Sequence, residues 1–125
     1  MSNTKEFDAI AKFVGNILDC CGIPPDSLGY KMLTEVVAHK VIYKSRALLE
    51  AYKYVANKHR IDVRAIPKLI DTIIQSYKSE LCANLDMPKK YMFPKAFITS
   101  FAIYIKMNYY NDAEYQSNNN HATDK

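Results

Sequence analysis

Apolar residues recur at helical spacing along most of the chain. Phe7, Ile10, Ala11, Val14, Ile17 and Leu18 fall on one face of a first helix. Asn3-Thr4-Lys5-Glu6 has capping-box spacing at its start. Gly22 suits its end, and Pro24-Pro25 prevent its continuation. Asp26 and Ser27 are good caps for a second helix over roughly 28–43, with Leu33, Val36, Val37 and Val41 as its stripe. Ser45 can cap a third, carrying Leu48, Leu49, Tyr52, Val55 and Ala56. After a break at 59–62, a fourth helix carries Ile66, Leu69, Ile70, Ile73, Ile74 and Tyr77 and runs to Leu81 or Ala83. Asp86, Pro88 and Pro94 interrupt residues 84–94, leaving Lys89-Lys90 exposed. Pro94 suits the first turn of a last helix, with Phe97, Ile98, Phe101, Ala102 and Ile105 as its buried stripe. No segment alternates with period two, and no internal repeat is present. The pattern predicts an all-α, compact bundle of about five helices.

At 125 residues the chain supplies one core, so one domain is expected over 1–110. From Asn111 the sequence turns polar, and residues 111–125 are expected to be a disordered tail. Three glycines, none beyond Gly29, leave no phosphate-cradling loop of the GxGxxG or GxxxxGK[ST] kind. No apolar run approaches a membrane span, and the first residues lack the basic start and apolar core of a signal peptide. The expectation is a soluble, cytoplasmic protein. Cys20, Cys21 and Cys82 are an odd count without CxxC spacing, and His39, His59 and His121 are scattered. They read as reduced thiols and ordinary imidazoles, with no metal and no cofactor. The acids are dispersed and no Ser–His or Cys–His arrangement has catalytic spacing, so the chain is read as not an enzyme.

The net charge is +4, and its placement carries more than its size. Residues 31–60 hold seven basic side chains against two acidic ones. A concentrated basic stretch is the footprint expected for phosphate contact, although a solvated helix face has the same composition. That stretch includes the third helix and the break after it. There the spacing fits a helix-turn-helix, which needs a small residue where two helices cross and apolar residues before it, after the turn and along the second helix. Ala56 is the small residue and Val55 precedes it, while Ile61, Ile66 and Leu69 follow at five, ten and thirteen residues. Arg60 occupies the turn position where glycine is favoured for a positive φ. Pro67 is comfortable only in a helix's first turn, so the fourth helix is expected to start near 63–64 or to kink, with Ile66 pushed away from helical angles.

Gly22-Ile23-Pro24-Pro25-Asp26-Ser27-Leu28-Gly29-Tyr30 resembles the Gly-[Val/Ile]-Pro…Gly-Tyr segment of the C-terminal DNA-binding effector domain of the sporulation initiation master response regulator, the stage zero sporulation protein A family. The next helix, from Lys31 to Val37, fits that family's continuation. Residues 51–59 (Ala-Tyr-Lys-Tyr-Val-Ala-Asn-Lys-His) are similar to its Leu-Tyr-Pro-Asp-Ile-Ala-Lys-Lys-Phe segment. The likeness covers roughly residues 8–78, and the final helix around Phe97 more weakly. It implies a bacterial, all-helical regulator that binds promoter DNA through the second helix of its motif, as adjacent copies on repeated sites. The family's effector domain is normally fused to a receiver domain, and here it would stand alone. The recognition helix departs from the family: Ser-Arg-x-Glu-Arg, followed a turn later by Arg-His, becomes Arg64-Ala65-Ile66-Pro67-Lys68, then Asp71-Thr72. Lys68 keeps a charge but not the two-pronged guanine contact of Arg, and Asp71 would repel phosphate.

The expected function is therefore transcription regulation through double-stranded DNA. Arg64 and Lys68 would face the groove, with Thr72 and Gln75 as further base-edge candidates. Lys53, Lys58 and Arg60 would hold phosphates, flanked by Lys44 and Arg46. The resemblance implies a homodimer on DNA. The alternative is a protein-interaction module that has lost specific reading and modulates a related regulator. Ten tyrosines, including Tyr104, Tyr109, Tyr110 and Tyr115 near the C-terminus, suit that alternative.

Overall fold

A computed structural model describes residues 2–43 and 47–123, with side chains over 5–43 and 47–111. Among the described residues the fold is all-α, a compact helical bundle of six helices. They are α1 (Ser2–Cys20), α2 (Leu28–Tyr43), α3 (Leu48–His59), α4 (Ala65–Ser76), α5 (Lys78–Leu85) and α6 (Pro94–Thr123), with a single 3₁₀ turn at Lys89–Tyr91. Because α1 already starts at Ser2, Asn3 lies inside the helix rather than at its cap.

The second helix is the axis of the bundle. It packs against α1, α3, α4 and α6. Every residue from Met32 to His39 is buried, so the predicted stripe is in fact a helix enclosed on all sides. Glu35 and His39 are the two titratable side chains taken inside with it. Gly29 sets the crossing with α4: a Cβ there would collide with Ile73 and sit 2.8 Å from the Leu69 carbonyl oxygen. The crossing helix contributes Ile66, Ile70, Ile73 and Ile74 to the core. Phe97, Ile98, Phe101, Ala102 and Ile105 of α6 close it, as their spacing predicts.

The expected fourth helix is two helices. Tyr77, at φ −120° and ψ 27°, separates α4 from α5. Its amide still donates to the Ile73 carbonyl, and its carbonyl accepts from Leu81. Hydrogen bonding therefore continues through a bend that keeps Leu81 and Leu85 buried. Ile66 is another correction. It lies within α4 and is fully buried, so core packing has overridden the local preference against helical angles before proline. Pro67 is the third residue of α4, where a missing amide hydrogen removes no intrahelical bond. The assignment of α6 continues from Asn111 to Thr123, where the sequence leads one to expect no ordered structure. No Gly or Pro interrupts that stretch, and the side chains from Asp112 onward lie outside the described residues.

Three helices end in the same closure. After α1, Gly22 (φ 84°) is followed by an Ile23 amide donating to the Leu18 carbonyl at 3.2 Å. After α3, Arg60 (φ 56°) is followed by an Ile61 amide donating to Ala56 at 3.0 Å. After α5, Asp86 (φ 53°) is followed by a Met87 amide donating to Cys82 at 3.1 Å. Each is a left-handed residue followed by a six-to-one bond, the Schellman closure that satisfies free carbonyls at a helix end. Glycine fills it once. Arg60 and Asp86 adopt the same conformation at a cost of about 1 kcal/mol or more each.

Candidate nucleic-acid interface

The α3–α4 unit is built from its inner side outward. Ala51, Val55 and Ala56 of α3 are buried, and Ile61 and Val63 of the connection are half-buried against the core. The Arg60 closure ends α3, and Asp62 lies three residues before the first residue of α4. Its backbone oxygen accepts from the Ala65 amide at 2.9 Å, and its side-chain Oδ1 accepts from the Arg64 amide at 2.9 Å. The acidic side chain thus closes a turn on the amide two residues on, just ahead of α4. Arg64 returns to the same carboxylate. Its Nη2 donates to Oδ2 at 2.9 Å and its Nε to Oδ1 at 3.3 Å. The hydrogen bonds from Arg64 hold the Asp62 carboxyl below its ordinary range, and Asp62 in turn raises the Arg64 guanidinium. Both remain open to solvent, with 85% of the Arg64 side chain and 53% of Asp62 exposed. With Ala65 and Lys68 they line a shallow cleft of about 380 Å³.

Arg64, Lys68, Thr72 and Gln75 are exposed and share one stripe of α4, opposite its buried isoleucines. Asp71 lies on that stripe too. Only part of the stripe is free to meet a partner. Thr72 donates its hydroxyl to the Lys68 carbonyl at 3.0 Å. Gln75 donates from Nε2 to Asp71 Oδ1 at 3.2 Å and to the Met92 carbonyl at 2.9 Å, so it ties the 3₁₀ segment to α4. On α3, Lys53 and Arg60 are exposed on a common stripe with Asn57. Lys58 stands on another side of the helix. Its Nζ is 3.2 Å from Glu35 Oε1 and 4.8 Å from the centre of the Phe7 ring. His59 Nε2 meets the same Glu35 oxygen at 2.8 Å. Lys44 and Arg46 lie outside the described residues.

Two of these relationships could not be expected from the basic pattern. The Glu35 cluster joins residues 24 apart and carries no local signal. The Asp62 contact did have one, since an Asp two residues before an Arg at a helix start can close on that residue's backbone amide.

Elsewhere the polar groups serve the fold. His39 lies between Tyr43 and Tyr54, with ring centres 4.6 and 4.8 Å away, and its buried Nδ1 has no hydrogen-bond partner. Burial lowers its pKa, opposed by Glu50 and assisted by Lys40. Burial likewise pushes the Cys21 thiol up to about 11, the direction of an unreactive thiol. Among the described residues, no group of three or more His, Cys, Asp or Glu is placed to hold a metal ion, and no helix is long and apolar enough to cross a membrane. The C-terminal tyrosines make internal contacts: Tyr104 lies 6.2 Å from Phe101, Tyr109 packs edge-on to Phe13, and Tyr110 donates to Glu6 Oε1 at 2.6 Å. Tyr115 lies outside the described side chains. Among the described side chains, Ile103 and Met107 are exposed aliphatic residues of α6, with Phe93 exposed just before the helix.

Compared with known protein families, curated proteins and solved structures, the chain has no match.

Proposed function

We propose that this chain is a DNA-binding transcription regulator that uses α3 and α4 as a helix-turn-helix similar to that of the sporulation regulator effector domain, with an altered recognition helix. The observation that carries the reading is the connection between α3 and α4. Ala56 is buried, Arg60 makes a left-handed closure, and Ile61 and Ile66 pack inward. That leaves Lys53, Arg60, Arg64 and Lys68 outside on the same unit. A unit that buries one side and offers a basic outer side suits a helix entering a major groove beside charged phosphates. Lys53 and Arg60 would position the protein on the backbone. Arg64 and Lys68 would meet base edges. The internal bonds of Lys58 and Gln75 leave them smaller parts in DNA contact than their sequence positions suggest. Adjacent copies on a repeated site would make the DNA-bound form a homodimer.

The test is fluorescence anisotropy of labelled duplexes across a salt series, one carrying the resembled family's target box and one scrambled. Each phosphate contact adds about −0.9 to the slope of log K against log salt. Binding with a steep slope is expected. Absence of binding at low salt overturns the reading.

A second reading has one observation in its favour. Phe93, Ile103 and Met107 are each more than half exposed on and beside α6, which suits a module that docks on a related regulator. Co-purification of such a complex without DNA would favour it.

A further inference from the structure

We propose that Asp62 is a positioning residue of the interface, fixing Arg64 so that its guanidinium reads a guanine in the major groove. This rests on the reading of α4 as the groove-entering helix.

The argument is one of donors and charge. Arginine has five N–H donors in a rigid plane. Asp62 takes the Nε edge, through Oδ1 at 3.3 Å and Oδ2 at 2.9 Å. The far edge, formed by Nη1 and the outer hydrogen of Nη2, is left unoccupied by that carboxylate. That edge offers two parallel donors, the complement of guanine O6 and N7. Asp62 is itself anchored, because its Oδ1 also accepts the Arg64 amide. The fork is therefore held before a ligand arrives, which lowers the ordering cost of a long, exposed side chain. Charge favours a base over the backbone. A carboxylate beside the guanidinium opposes its pull on an anionic phosphate. It leaves the hydrogen-bond donors intact for a neutral base edge. Ala65, the residue between Arg64 and the core-facing Ile66, is short, and the cleft it shares with Asp62, Arg64 and Lys68 is open to a base edge.

The proposal gives Asp62 an unusual mutational signature. Removing a negative charge near DNA tightens nonspecific binding, whereas losing the fork weakens discrimination. The experiment selects bound duplexes from a randomised pool, using the full chain as wild type, Asp62→Ala, Asp62→Asn and Arg64→Ala, and repeats anisotropy in a salt series. Asp62→Asn keeps an acceptor for the Arg64 amide, and thermal melts confirm that each variant is folded. The wild type is expected to enrich guanine at one position. Both Asp62 variants should bind scrambled duplex at least as tightly as wild type, yet lose that preference by about tenfold. Arg64→Ala should lose the same preference. A wild type that binds without any guanine preference overturns the proposal but not the DNA reading. So does a preference unchanged in the folded Asp62 variants, or unchanged in folded Arg64→Ala. A wild type that binds no duplex overturns both.

Discussion

His59 and Glu35 are 24 residues apart in sequence, and His59 Nε2 lies 2.8 Å from Glu35 Oε1. Lys58 reaches the same oxygen, so the end of α3 is tied to the middle of α2 by two neighbouring side chains. One basic residue of the α3–α4 unit is thereby engaged within the molecule. Replacing Lys58 with Gln is expected to lower stability by no more than about 1 kcal/mol, because the lysine is partly solvated. The salt slope for DNA should stay nearly unchanged. Lys53→Gln should do the reverse, reducing the slope by about 0.9 with stability intact. Thermal melts and anisotropy on both variants separate the two roles.

The α2–α4 crossing allows no side chain at Gly29. Gly29→Ala places a methyl against Ile73 and the Leu69 carbonyl. It is expected to cost about 2 kcal/mol, the size of an overpacking defect. Alanine at this position would otherwise favour the helix, so a neutral or stabilising result in denaturant titration contradicts the observed approach.

Arg60→Gly and Asp86→Gly form a matched pair. Both residues sit in the left-handed region, and glycine should relieve about 1 kcal/mol at each, read as a rise in the denaturation midpoint. Their effects on DNA should differ. Arg60→Gly is expected to weaken binding as it stabilises the fold, and Asp86→Gly to leave binding as it was.

Gln75→Ala should cost about 1 kcal/mol through loss of its bond to the Met92 carbonyl, with little change in DNA preference. A large fall in affinity with unchanged stability would restore Gln75 to the set of base-reading residues.

Burial of His39 sets a sign for the pH response. Its folded pKa lies below the ordinary imidazole value of about 6.5. Between the two values the unfolded chain binds more protons than the folded one, so stability falls with falling pH. The His39 contribution is complete above about pH 6.5 and is lost as pH drops towards the folded value. Melting at pH 7.5 and 5.5 should show a larger drop for wild type than for His39→Phe. Equal drops would mean that His39 accepts its proton without cost.

Periodicity and punctuation carried much of this architecture. Gly22, the Pro24-Pro25 pair and Pro94 mark boundaries that the structure keeps, and the buried stripe of α6 follows directly from its spacing. The bend at Tyr77 was hidden for a specific reason. Ile70, Ile74, Leu81 and Leu85 stay in helical phase across it, and no Gly or Pro marks it. The enclosure of α2 was hidden because Thr34, Glu35 and His39 look like surface residues until Lys58, His59 and two tyrosines are brought around them. The outward face of the candidate site was legible to a similar degree. The outward stripe of Arg64, Lys68, Thr72 and Gln75 could be counted from the sequence. Which of its members are already bonded depends on chain segments far away, such as Met92.

The opening turn of α4 has few main-chain donors to offer. The Arg64 amide is bonded to a carboxylate, those of Ala65 and Ile66 to the carbonyls of Asp62 and Val63, and Pro67 has no hydrogen to give. The usual way in which a helix end grips a strand, through bare backbone hydrogens, is therefore closed here. Any hold on a duplex would have to come from side chains that can be exchanged one at a time while the scaffold beneath them stands unaltered. A helix built this way can change the side chains it presents without having to refold.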